Sequence, residues 1–121
     1  MTDSLQQLAQ DLQRFADERD WGPFHSPKNL ASALIVESGE LLEHFQWMTE
    51  AQSRSLDADK QQQVADEMAD VLLYLVQLSS ALKIDLLAAA RHKMQRNAER
   101  YPAERVRGSS AKQPAAPSDP D

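Results

Sequence analysis

The sequence contains no cysteine. That excludes a disulfide framework, a thiol nucleophile and a zinc–thiolate site, and it fits a reducing compartment. Glycine occurs only three times in 121 residues, while alanine, leucine, glutamine and glutamate are abundant, a composition that favours helix over sheet. No apolar run approaches about 18 residues, and no charged-then-apolar leader pattern opens the chain. The expectation is a cytoplasmic protein with no spanning helix. The formal net charge is −6 and no basic stripe is visible, which argues against a nucleic acid polymer or a membrane surface as partner. A phosphate-bearing ligand would have to be met by a few placed cations or by a metal ion.

Apolar spacing predicts four helices. Leu5, Leu8, Leu12 and Phe15 recur at intervals of three and four, giving a first helix from about Asp3 to Arg19 that ends near Trp21-Gly22-Pro23. A second begins after Ser26, a good N-cap, with Pro27 in its first position, and runs to about Met48. Asp57 or Asp59 caps a third, Lys60 to Leu82, and the connection from Thr49 to Asp59 shows no motif. Asp85 caps a fourth, Leu86 to Arg100, which Pro102 stops. From Gly108 the chain reads GSSAKQPAAPSDPD, with three prolines and little to bury. Residues 1–107 therefore read as one all-α domain of four-helix-bundle type, and 108–121 as a disordered tail.

On the second helix Leu30, Leu34, Leu41, Phe45 and Met48 fall in a stripe about 60° wide, and Ile35 and Leu42 lie well off it. Two apolar faces on one helix imply burial against a second subunit, hence a homo-oligomer.

Glu37 projects into the middle of that stripe. Burying an unpaired carboxylate costs several kcal/mol in practice, so a cation, a metal or a hydrogen-bonding network must compensate it. Glu40, three residues on, shares its face, and Trp47 lies along the same edge. The third helix repeats the pattern. Val64, Met68, Val71, Leu75, Leu78 and Leu82 make its stripe, and Glu67, Asp70 and Tyr74 form a row along one border. If the two helices are antiparallel neighbours, four carboxylates converge. Like charges repel unless a cation separates them, and an all-oxygen ligand set suits Mg²⁺, Mn²⁺ or Ca²⁺. A di-iron carboxylate site needs E-x-x-H on two helices. His44 stands four residues after Glu40, and neither His25 nor His92 has a glutamate three residues before it. On the fourth helix Lys93, Asn97 and Arg100 share a face that could meet phosphate oxygens.

The segments ERDWGPFHSPKNLASALIVESGELLEHFQW, DEMADVLLYLVQLSSALKIDL and KMQRNAERYP resemble the MazG-like all-α nucleoside triphosphate pyrophosphatases, and within them the dCTP pyrophosphatase branch. The resemblance covers about residues 10 to 102. It implies a Mg²⁺-dependent hydrolase, with Mn²⁺ as the alternative ion, that cuts a nucleoside triphosphate between the α- and β-phosphorus. It maps the metal ligands and catalytic carboxylates onto Glu37, Glu40, Glu67 and Asp70. Trp21, Trp47 and Tyr74, with His25 as neighbour, become the base pocket, and Lys93, Asn97 and Arg100 the phosphate or sugar contacts. The family assembles as dimers or tetramers. The expected substrate is dCTP or a modified dCTP. Two alternatives remain: the same fold acting on dUTP or a broad nucleotide pool, or a non-catalytic, metal-binding helical oligomerisation module. The first helix is rich in glutamine, Gln6, Gln7, Gln10 and Gln13 with Leu12 among them, and has no histidine.

Overall fold

A computed structural model describes residues 4–112. The described residues contain helices and turns and no strand. The helices are α1 (Leu5–Glu18), α2 (Pro27–Glu43), α3 (Glu50–Ser53), α4 (Ala58–Ala81), α5 (Leu86–Arg100) and α6 (Ala103–Val106), and a single 3₁₀ turn, Gly22–Phe24, lies between α1 and α2. The chain divides into two compact units, Met1–Ile84 and Asp85–Asp121.

Side-chain caps set most of the starts. Ser4, Ser26, Asp57 and Asp85 each accept a hydrogen bond from the backbone N–H three residues on. Of the two candidate caps for α4, the structure uses Asp57. Two ends are closed by left-handed residues that are not glycine. After α1, Asp20 has φ of 52°, and the N–H of Trp21 reaches back to the carbonyl of Ala16 at 3.0 Å. After α4, Lys83 has φ of 58°, and the N–H of Ile84 reaches that of Ser79 at 2.9 Å. Both are Schellman closures. The first turns the chain sharply enough to place Trp21 back beside α1.

In the first unit α4 is central, packing along α2 and against α1. The Lys60 ammonium, in the first turn of α4, lies 3.3 Å from His44 Nδ1 at the end of α2, so the two helices run antiparallel. Leu30 (1% exposed) and Val76 (2%) are the most deeply buried large side chains, with Ala16 and Val64 beside them in the core.

Three expectations need correction. Helix α2 ends at Glu43, not Met48. The chain continues through turn bonds from Phe45 N and Gln46 N to the Leu42 carbonyl, and from Met48 N to that of Phe45. The connection holds a short helix after all, α3, closed by a reciprocal capping box between Thr49 and Gln52. The predicted stripe of α4 is its buried line only in part, because Val64 is buried but Met68 and Leu82 are exposed, while Val76, off the stripe, is buried. A helix packed on two sides by α1 and α2 has more than one apolar face.

In the second unit α5 stops at Tyr101, whose N–H bonds the Asn97 carbonyl at 2.7 Å, and α6 starts immediately after Pro102. Asp3, the expected start of α1, and residues 113–121 of the expected tail lie outside the described residues, and 108–112 carry no helix.

Because Leu30 is almost wholly enclosed, Leu30→Ala should cost about 2–5 kcal/mol, read from the urea midpoint. Ser26→Ala should cost about 1 kcal/mol through the lost cap.

Candidate functional site

The antiparallel pairing of α2 and α4 brings the acidic pairs together. One carboxylate oxygen each from Glu37, Glu67 and Asp70 lies within 4.8 Å of the others. Glu40, one turn along α2, faces Glu37 closely enough to act on its charge and stands outside this triad. Oε2 of Glu37 and Oε2 of Glu67 are both buried and have no hydrogen-bond partner. Three carboxylates clustered within 4.8 Å, two of them with orphaned buried oxygens, make an all-oxygen set that fits a hard divalent cation.

Electrostatics report the same strain. Burial pushes the Glu37 carboxyl up from 4.5 to about 7. The facing carboxyls of Glu40 and Glu67 push it the same way, as do the charges of Glu40 and Asp70.

Beside the triad lies a cavity of about 360 Å³ between α1, the loop after it, and α4. Asp70 lines it and so belongs to both features. Its walls include Trp21, His25 and Tyr74, as the sequence leads one to expect, and also Phe15, Leu12 and Gln77, which sequence reasoning missed. The rings form an edge-on series. Phe15 and Trp21 have centroids 5.6 Å apart, and Trp21 and His25 are 6.1 Å apart. The Arg19 guanidinium sits 3.6 Å over the Phe15 ring and donates to the Phe15 carbonyl at 3.0 Å, holding the start of the series. Asn29 of α2 donates to the Phe24 carbonyl at 3.1 Å, tying the aromatic loop to the next helix. Gln77 was legible in principle, since it continues the row Glu67, Asp70, Tyr74 by another three residues.

Trp47 stands apart from this cavity. It follows the end of α2 and is 89% exposed. Lys93, Asn97 and Arg100 lie on α5, in the second unit, where the Arg100 guanidinium sits 5.6 Å from the Tyr101 ring.

A model of the MazG-like family matches residues 33–113. The chain belongs to the MazG-like family. The match spans both acidic pairs. Among individual proteins, human (Homo sapiens) dCTP pyrophosphatase 1 is 45% identical over 100 residues, covering 81% of this chain and 59% of that protein. The Bos taurus protein of the same name is 39% identical over 115 residues, covering 90% of this chain and 68% of the relative. The chain thus spans about three fifths of the human relative's length. Among solved structures, a pyrophosphatase from Archaeoglobus fulgidus DSM 4304 superposes with a TM-score of 0.67 at 34% identity, covering 84% of this chain and 95% of that one. No single helix among the described residues of this MazG-like chain is long and apolar enough to cross a membrane.

The raised Glu37 carboxyl has a signed consequence. Without metal, the folded chain holds a proton on Glu37 that the unfolded chain has released, so stability declines as pH rises from about 4.5 through about 7. Melting curves without divalent cation should show this decline. Glu37→Gln should remove that component, melt higher than wild type at pH 8, and gain little from added Mg²⁺ or Mn²⁺, which should raise the wild-type melting temperature.

Proposed function

We propose that this chain is a Mg²⁺-dependent nucleoside triphosphate pyrophosphohydrolase, releasing a nucleoside monophosphate and pyrophosphate, with dCTP or a modified dCTP as its substrate. The observation that carries the reading is the position of Asp70, shared by the carboxylate triad and the aromatic cavity. A ligand with a base in that cavity and phosphates at that triad has the shape of a nucleotide. The names of the relatives, dCTP pyrophosphatase 1 and a pyrophosphatase, support the same chemistry.

Glu37, Glu67 and Asp70 would hold the divalent cation, which supplies charge neutralisation at the phosphates and a more acidic water. The remaining work falls to the chain. Trp21, Tyr74 and His25 hold the base by stacking and edge contacts, worth roughly 1–3 kcal/mol per stacked base in comparable systems. Water attacks the α-phosphorus, its proton passes to Glu40, and the bond to the α–β bridging oxygen breaks as pyrophosphate departs. Glu40 suits that role because it faces the site yet stands outside the triad. Lys93, Asn97 and Arg100 are assigned to the phosphates and sugar on the family pattern, and Trp47 to the base on the same ground. The site would act on the nucleotide pool of the cytoplasm, with residues 1–107 sufficient for activity. Ile35 (69% exposed) and Leu42 (62%) form an apolar face on α2 that a homodimer or homotetramer would cover.

Incubation of the protein with a panel of (d)NTPs and Mg²⁺, followed by chromatographic separation of pyrophosphate from orthophosphate, should give pyrophosphate and the monophosphate, fastest with dCTP. Orthophosphate as the first product would refute the bond assignment. Glu37→Gln and Asp70→Asn should each lower kcat by at least about 10²-fold while far-UV dichroism is kept. A chain ending after Arg107 should keep kcat/KM within about twofold of the full chain.

A further inference from the structure

Resting on the nucleotide reading above, we infer that Gln77 is the residue that recognises the base edge, with its side-chain oxygen accepting a hydrogen bond from an exocyclic amino group. Three observations carry this. Gln77 Oε1 is buried and has no hydrogen-bond partner. A buried acceptor left unmade costs free energy, and because the Gln77 side chain is among those that line the cavity, a turn of its amide presents that acceptor to what enters. Gln77 also lines the cavity that Asp70 and Tyr74 line, so a single helix face carries a metal ligand, an aromatic side chain and an amide in succession. Along a helix the seven residues from Asp70 to Gln77 rise about 10 Å, a span suited to the separation of a nucleotide's phosphates from the far edge of its base. Finally, the wall opposite, on α1, is apolar at Leu8, Leu12, Phe15 and Ala16, and its one carboxylate, Asp11, already accepts from Gln7 at 3.1 Å and pairs with Arg14 at 3.6 Å.

The aromatic groups of this cavity bind any flat ring, because every base has a π-face. Selectivity needs a polar group that is left unpaired by the wrong ligand. Gln77 meets that requirement. An acceptor at its position pairs with the 4-amino group of cytosine and has nothing to pair with when that group is absent.

The test is a two-by-two comparison. The substrates are dCTP and the 2′-deoxynucleoside triphosphate of pyrimidin-2-one, which lacks only the 4-amino group. The proteins are wild type and Gln77→Leu. Wild type should prefer dCTP by at least about tenfold in kcat/KM, and Gln77→Leu should bring the ratio to within about twofold. Gln77→Glu, which keeps an acceptor in place, should retain a preference for dCTP. The melting temperature of Gln77→Leu should equal or exceed that of wild type, because an unsatisfied buried polar atom is removed. A uniform loss on both substrates with a lowered melting temperature would make Gln77 structural and overturn the inference, as would an unchanged ratio. The same ratio taken from Kd, with Ca²⁺ replacing Mg²⁺, separates this inference from the reading beneath it. Binding discrimination lost in Gln77→Leu without any wild-type turnover would support the base reader and overturn the hydrolase. Turnover with a ratio indifferent to Gln77 would do the reverse. Absence of both binding and turnover would overturn both.

Discussion

Mutual repulsion between desolvated carboxylates governs this molecule. Glu37 of α2 and Glu67 of α4 each bury an oxygen with no donor to satisfy it, and Asp70 stands within the same 4.8 Å cluster. Hydrophobic contact between the two helices, with Leu30 and Val76 at its most buried points, forces the groups into this arrangement. A chain of this size has a net stability of roughly 5–15 kcal/mol, so uncompensated charge at its central helix pair is a large fraction of the total. A divalent cation would turn the same arrangement from a liability into a clamp, because one ion of opposite sign could pair all three carboxylates at once. It would also bring positive charge to a protein whose formal net charge is −6.

The rest of the first unit follows from where that carboxylate cluster sits. Asp70 lies one turn from Tyr74 and two turns from Gln77, so α4 leads directly from the carboxylates into the aromatic cavity. The cavity needs a second wall, and the Schellman closure after α1 supplies it. Asp20 takes the left-handed conformation, Trp21 bonds back to Ala16, and the indole stands edge-on between Phe15 and His25. The N-cap at Ser26 and the Asn29 bond to Phe24 then fix where α2 begins, and with it the register that aims Glu37 at Glu67.

Much of this was legible in the residues, and the failures have physical causes. Caps at Ser26 and Asp85 are local events between a side chain and a backbone N–H three residues on, so local sequence suffices to find them. Glu37 stood out because a carboxylate in an apolar stripe contradicts its surroundings, and the repeat at Glu67 and Asp70 gave it partners. The end of α2 was misread because Phe45 and Met48 continue the apolar spacing and no glycine or proline marks the stop, while the chain leaves the helix through turns that bury them partly anyway. That misreading carried Trp47 with it, which lies off the helix edge on which Glu40 sits. Val76 was missed because periodicity ranks one face of a helix and α4 is enclosed from two sides, and Gln77 because the row Glu67, Asp70, Tyr74 was not followed three residues further. The family resemblance rests on the acidic pairs and their aromatic context, and the comparisons agree with it over residues 33–113.

The central claim, that Glu37 occupies a core position in order to hold a cation between α2 and α4, is tested most directly by a crystal structure of the full chain grown with Mn²⁺ and recorded at an energy where manganese scatters anomalously. The account predicts an anomalous peak bonded to oxygens of Glu37, Glu67 and Asp70 at about 2.0–2.3 Å. A triad that stays free of metal at saturating Mn²⁺, or a peak bound elsewhere with Glu37 hydrogen-bonded as a neutral acid, would contradict it.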